Sequence, residues 1–290
     1  MPHSPFPIPL FPIQVIEWQN ATTHVLNHGL HYASSVFEGE RVYDGKVFKL
    51  HEHSERLHQS AKLLGFEIPY TVEELNDATN EIVKIQQIEN GYVRPFAWRG
   101  SEKMAISAQN NTIHVAIATW SWPPYYKATL QKTGIKMVVS DWKRPSPETA
   151  PCASKAAGLY MICTLSKHHA EDNGYHDALM LDWRGYVAEG SSANFFLVIN
   201  NELHTPIADC FLDGITRRTV IELAKEAGIK CHERYINLEE LANAQEAFLT
   251  GTAAELTPVG LVDHGDVSYE FTVGPIFEKL KSAYHTLVKS

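Results

Sequence analysis

The chain has few cysteines and no pattern among them. Cys152, Cys163, Cys210 and Cys231 are scattered with no CxxC pair, so they read as free thiols of a reducing compartment rather than a disulfide framework, and a cytoplasmic location is expected. No apolar run approaches the roughly 20 residues that a membrane-spanning helix needs. The N-terminal "MPHSPFPIPLFPIQ" lacks the basic start of a signal peptide and is expected to form an extended arm. Basic residues are outnumbered, 25 against 34 acidic, giving a formal net charge of −9. With no dense Lys/Arg block, a nucleic-acid surface is not expected. GxGxxG and GxxxxGK[ST] are both missing, which removes the usual nucleotide cradles. Neither His51/His53 nor His168/His169 has the i,i+4 or convergent-carboxylate spacing of a zinc site, and no metal is assigned. No repeat or low-complexity tract appears beyond the proline-rich arm.

What remains is a chain of 290 residues, 44% hydrophobic, enough for one large domain or two ordinary ones. "RVYDGKVFKL" turns at Asp44-Gly45 between two β-prone runs, a hairpin signature. "HEHSERLHQSAKLLG" spaces apolar residues at helical intervals and stops at Gly65. Thr71 and Glu74 form a capping box for a helix whose expected buried stripe is Val72, Leu75, Ile82 and Ile85. "YVRPFAWRG" and "TIHVAIATW" return to strand. The pattern predicts an α+β small domain over 1–120, a Pro-marked linker over 121–134 and a larger, β-rich domain over 135–290. In the larger part, strands alternate with a helix at "GITRRTVIELAKEAG" and a C-terminal helix.

Four stretches in that larger part carry candidate chemistry, each with a plainer reading beside it. "ASKAAGLY" sets Lys155 among small residues, which suits the approach of a bulky partner to a nucleophilic amine. A solvated surface lysine is the plain alternative. Tyr160, five residues on, can project back to the same site. "DGITRRTV" starts a helix whose free Ile215 and Thr216 N–H groups suit a phosphate, unless Asp213 simply caps an ordinary helix. "LTGTAAELTPVG" brings Thr252 and Ala253 to a tight turn that either holds an anion or merely turns. In "VAEGSSANFFLV", Glu189 points into a site and needs a partner such as a protonated pyridine nitrogen, or lies at the surface and needs none. In the first half, Tyr32, Phe37 and Arg41 occupy a strand-like run, and Tyr92 and Arg94 share one strand face. These suit an apolar substrate carrying a carboxylate, or else core aromatics with a rim arginine. Arg56, in a histidine-rich helix, binds a phosphate or solvates its face.

In this order, "GLHYASSVFEGERVY", "RLHQSAK", "YVRP", "SKAAGLY", "AEGSSANFF", "GITR" and "TGTAAELTPV" resemble the branched-chain-amino-acid aminotransferases over roughly residues 27–260. Those are fold-type IV enzymes, with the two-domain α+β fold of the D-amino-acid aminotransferase kind, and use pyridoxal 5′-phosphate. The resemblance implies that Lys155 carries the cofactor and moves the proton, that Tyr160 bonds its ring oxygen, and that Glu189 pairs its ring nitrogen. Arg56, Ile215, Thr216 and Thr252 would hold its phosphate. Tyr92, Thr252, Ala253 and Arg94 would receive the α-carboxylate, with Phe37 and Tyr32 lining the side-chain pocket and Tyr32 reaching in from a second subunit. Arg41 is the candidate for the γ-carboxylate of the second substrate. A ping-pong transfer from Leu, Ile or Val to 2-oxoglutarate by a homodimer or larger homo-oligomer is expected. A D-amino-acid or (R)-amine transaminase, an aminodeoxychorismate lyase, or a cofactor-binding sensor are the alternatives. Asp213, "GSSAN" and Glu40 depart from the usual pattern, and Asp213 puts a carboxylate beside the expected phosphate cradle.

Overall fold

The computed structural model describes residues 14–123 and 126–290. Most of the expected N-terminal arm, and Pro124-Tyr125 of the expected linker, lie outside the described residues. Among the described residues, no helix is long and apolar enough to cross a membrane.

The first half forms one antiparallel sheet. After a short helix α1 (His28–Tyr32) come β1 (Ser35–Phe37), β2 (Glu40–Tyr43) and β3 (Lys46–Val47). Asp44 and Gly45 both take positive φ (48° and 78°), the conformation a two-residue hairpin turn needs. Helix α2 (Leu50–Leu63) and helix α3 (Val72–Ile85) follow, then the long strands β4 (Gly91–Arg99) and β5 (Ile113–Ser121). Both β1 and β2 pair with one edge of β4, at Phe96–Trp98 and Gly91–Val93 respectively, while β5 pairs along its other edge. The Thr71–Glu74 capping box is present: Glu74 N donates to Thr71 Oγ1 (3.2 Å) and Thr71 N to Glu74 Oε2 (2.7 Å). The expected buried stripe of α3 needs correction. Leu75, Ala78, Thr79 and Val83 are buried, but Ile85 is 52% exposed. Val83 of the same last turn is the residue that packs on Val42 and Val93 of the sheet, and Ile85, two positions on, points elsewhere.

The second half begins with a single turn, α4 (Leu130–Thr133), and β6 (Ile135–Val139). Helix α5 (Met161–Asp172) and β7 (Asp177–Leu181) follow. Next come β8 (Val187–Gly190), β9 (Asn194–Ile199), β10 (Glu202–Thr205), helix α6 (Ile215–Glu226) and β11 (Cys231–Glu233). The chain closes with β12 (Glu246–Gly251), β13 (Glu255–His264), β14 (Val267–Glu270) and α7 (Pro275–Leu287). Strands β9-β12-β13-β6-β7-β8 pair in that order, and β8 also pairs with β9 through Glu189↔Asn194, so the sheet closes on itself. Side-chain alternation along β9 and β12 separates two cores. Phe195, Leu197, Ala247 and Leu249 face inward with Met137, Leu179 and Val259. Phe196, Val198 and Phe248 face outward onto Val220, Leu223 and Ala224 of α6 and Phe277, Leu280 and Tyr284 of α7. Phe196 and Phe248 stack at 5.1 Å with rings nearly parallel. Burying each such ring contributes about 1.5–3 kcal/mol.

Lys155 lies in the crossover between the parallel strands β6 and β7, where the two sheets meet. Phe37 N donates to Lys155 O (3.1 Å), Lys155 N donates to Ser60 Oγ of α2 (3.0 Å), and Ala156 bridges Val36. A Cβ on Gly158 would lie 3.1 Å from the Ala33 side chain. The small residues around Lys155 thus serve backbone contact with the first sheet as well as open space at the amine.

Candidate active site

A cleft lies at this junction. Arg56, Lys155, Tyr160, Glu189, Ile215, Thr216 and Thr252, the seven residues expected to hold a cofactor, all line it. They come from α2, the crossover, β8, the start of α6 and the β12–β13 turn. Lys155 Nζ donates to Tyr160 OH (2.8 Å) and lies 5.1 Å from the Phe37 ring centre. Burial and the Arg56 charge push the Lys155 amine below its ordinary value, so a neutral amine is easier to form. Burial pushes the Tyr160 phenol up.

The anion-binding end rests on a group the sequence reading passed over. Glu38, completely buried, accepts from Arg56 Nε (2.7 Å) and Nη2 (2.8 Å) and lies 2.7 Å from His53 Nδ1. Despite burial, these partners hold its carboxyl well below the ordinary range. The clamp leaves Arg56 Nη1 buried with no partner among the described residues. Nearby, α6 starts at Gly214 with no side-chain cap, so the Ile215 and Thr216 N–H groups are open. Thr250 Oγ1, of a residue that also lines the cleft, is a further buried polar atom without a partner among the described residues. Open backbone donors, an arginine donor and the helix dipole fit a phosphate. Asp213 does not cap α6 and does not enter the cleft. It accepts from Arg217 Nη1 (2.8 Å), a fully buried arginine one turn into the helix, which removes the expected conflict with an anion.

At the other end Glu189 has one hydrogen bond and one ion pair, since Arg144 Nε is near it in charge contact but has no hydrogen-bond partner among the described residues. Arg144 Nε lies 3.4 Å from Oε1, and Asn194 Nδ2 donates to Oε2 (3.3 Å). Burial raises the Glu189 carboxyl to about 7, against the pull of Arg144 and Lys155. Asn194 Oδ1 also accepts from Gly214 N (3.2 Å), and a Cβ on Gly214 would sit 2.2 Å from that oxygen. In "GSSAN", Ser191 Oγ donates to buried Asp177 Oδ1 (2.5 Å). Arg144 and Asn194 were not picked out from the sequence. Asn194 stands in a quoted motif, whereas nothing around Arg144 signals its partner 45 residues away.

The expected substrate residues divide. Phe37 packs edge-on against Tyr160 (4.7 Å), and the Arg94 guanidinium lies 4.5 Å from the Phe37 ring centre. Arg94 Nη2 donates to Tyr92 OH (3.1 Å), and Tyr92 packs on Trp120 and Trp122. Gly39 makes this possible, since a Cβ there would fall 1.9 Å from Tyr92 OH. Ala253 follows Thr252 in the β12–β13 turn. Arg41 is not among the residues lining the cleft, and neither are Phe37, Tyr92, Arg94 and Ala253. The Nε and Nη1 of Arg41 are buried without a hydrogen-bond partner among the described residues. Its guanidinium sits 5.5 Å from the Tyr43 ring and 4.0 Å from Glu255, because that carboxylate and ring lie against β2. Tyr32 is 42% exposed and packs on His28, away from its own chain's cleft. Two groups with metal-like spacing, Glu202/His204/His232 and Asp182/Asp209/Cys210, lie outside the cleft. Both contain ion pairs already, with Lys230 and with Arg184.

An amine, an anion cradle and a buried carboxylate set around one cleft define a class of enzyme that the chain as a whole confirms. The model of the amino-transferase class IV family matches residues 35–262, and the chain belongs to that family. Within it, the chain is 42% identical to a probable branched-chain-amino-acid aminotransferase of Rickettsia bellii, over 95% of this chain and 94% of that one. The crystal structure of the Escherichia coli branched-chain amino acid aminotransferase superposes with a TM-score of 0.90 at 37% identity, covering 95% of this chain and 92% of the other. The branched-chain amino acid aminotransferase of Thermobaculum terrenum has been solved in its PLP form, the holo form. It superposes with a TM-score of 0.85 at 30% identity, over 95% of this chain and 92% of that one.

Proposed function

We propose that the protein transfers the amino group of leucine, isoleucine and valine to 2-oxoglutarate, using pyridoxal 5′-phosphate and working in two half-reactions. The observation that carries this is the cleft itself: a lysine amine, an open phosphate cradle and a buried carboxylate face one space. Arg56 Nη1, the Ile215 and Thr216 amides and Thr252 would hold the phosphate, Tyr160 the ring oxygen and Glu189 the ring nitrogen. Once bound, the cofactor supplies an electron sink that makes the amino-acid Cα–H acidic. Lys155 Nζ takes that proton and returns it, and burial, by lowering its proton affinity, makes the neutral amine that accepts the proton easier to reach. Phe37 and Tyr92 offer an apolar wall, while Tyr92, Thr252 and Ala253 receive the α-carboxylate. We assign the second carboxylate to Arg94, whose Nε is buried without a partner among the described residues and which stacks on Phe37.

A homodimer would bring Tyr32 to a neighbouring cleft. Exposed Val25, Leu26 and Leu30 beside Tyr32 support such an association. The free cysteines support a reducing, cytoplasmic setting. The test is glutamate production from L-leucine and 2-oxoglutarate by the purified protein with added cofactor, set against D-alanine as donor. Turnover with D-alanine alone would overturn the assignment. Lys155→Ala is expected to abolish transfer.

A further inference from the structure

A carboxylate partner for a protonated ring nitrogen has to be ionised, and the cleft works against that. Glu189 is 7% exposed and stands at the cleft wall, where desolvation favours its neutral form. A neutral Glu189 would donate a hydrogen bond rather than accept one, and the ring nitrogen would stay unprotonated. Arg144 faces this carboxylate directly. The residue is only 4% exposed and lies just past β6, where its N–H donates to Leu181 O (2.8 Å). Its Nε is 3.4 Å from Glu189 Oε1. Its Nη1 donates to Cys163 Sγ (3.4 Å) on α5 and to Leu159 O (3.5 Å), next to Tyr160. Both contacts are made by Nη1, while Nε has no hydrogen-bond partner among the described residues and meets Glu189 as a charge.

The other ionisable groups acting on Glu189 are Lys155, which favours its charge, and Asp177, which opposes it. Tyr160, Cys163, Cys152 and Cys210 also feel the Glu189 charge, and burial keeps all four neutral by raising their proton affinities. Lys155 is engaged with the reacting group during turnover, so Arg144 is the permanent cation.

We propose that Arg144 is a positioning residue that keeps the Glu189 carboxylate ionised and aimed at the ring nitrogen of the cofactor. Arg144 itself borders the cleft, and its role is exerted through Glu189. Asn194 completes the seat, linking Glu189 Oε2 to the Gly214 amide at the mouth of the phosphate cradle. The inference rests on reading the cleft as a pyridoxal phosphate site.

The experiment compares equilibrium binding of two ligands to cofactor-free protein at pH 7.5: pyridoxal 5′-phosphate, and its 1-deaza analogue, in which carbon replaces the ring nitrogen. Wild type is expected to prefer the natural cofactor. In Arg144→Gln that preference is expected to fall about tenfold, the equivalent of one unit of proton affinity, while affinity for the analogue stays within about twofold. Arg144→Lys, which keeps the charge, is expected to restore most of the preference. In a Glu189→Gln background, Arg144→Gln should leave the preference unchanged. Loss of affinity for both ligands alike in Arg144→Gln, or for neither, overturns the role of Arg144. Should Arg144→Gln not fold, Arg144→Lys decides alone: a kept preference supports the role and a lost one refutes it. Wild type binding neither ligand would instead overturn the cofactor reading.

Discussion

Glu40 is a buried acid with nothing to hold it, and replacing it should make the protein more stable. The residue is fully buried on β2, and neither carboxylate oxygen has a hydrogen-bond partner among the described residues. Burial raises its proton affinity well above the ordinary carboxylate value of 4.5, and the neighbouring Glu38 charge adds to this, with Arg56 opposing. Below pH 4.5 the group is protonated in both folded and unfolded chains and contributes nothing to pH dependence. Above it, the unfolded chain releases the proton while the folded chain keeps it, so stability falls as pH rises. The fall is about 1.4 kcal/mol per pH unit until the folded group also ionises.

Glu40→Gln removes that slope but leaves polar atoms buried. Glu40→Leu removes both, and recovering one unsatisfied buried polar group is worth about 1–3 kcal/mol. At roughly 2–4 °C per kcal/mol for a protein of this size, the melting temperature of Glu40→Leu should rise by several degrees at pH 7.5. Thermal melts of wild type and both variants from pH 5 to 8.5 provide the assay. The melting curves should lie closest at pH 5 and separate as pH rises. Parallel pH profiles for wild type and Glu40→Gln, or a Glu40→Leu protein less stable than wild type at pH 8, would refute the reasoning.

Glu38→Gln should lower stability by about 3–5 kcal/mol, since it leaves the buried Arg56 charge without its partner; the urea midpoint reads this, and cofactor affinity should fall with it. Gly39→Ala should lower kcat/KM for leucine at least tenfold by pushing Tyr92 from its place, with cofactor affinity unchanged. Asp213→Ala should cost about 1 kcal/mol, because Arg217 keeps Glu233 and the Pro206 carbonyl as partners. Its cofactor affinity should stay nearly unchanged, since Arg217 already holds that carboxylate; a marked rise would mean that Asp213 faces the anion after all.

Much of the site was legible because its parts are local. A lysine among small residues, an Asp-Gly helix start, a Gly-Thr turn and a carboxylate before a Gly-Ser turn are each written within a few residues. Likewise the Thr71–Glu74 capping box and the Asp44-Gly45 hairpin depend on near neighbours alone. Hydrophobic spacing and turn residues predicted the α+β architecture on the same local grounds.

Tertiary structure decided what lies between distant segments. The Glu38–Arg56 clamp joins residues 18 apart, and Arg144 meets Glu189 across 45, with no periodicity to announce either. Arg41 and Arg94 look equivalent as strand arginines beside aromatics. Only packing turns Arg41 to Glu255 and lays Arg94 on Phe37. Ile85 fits the helical stripe, yet it is exposed because packing turns Val83, not Ile85, to the sheet. Asp213 shows the difference most directly. Its charge and its place before α6 are local facts, but whether it disturbs an anion depends on Arg217, whose buried guanidinium draws the carboxylate aside.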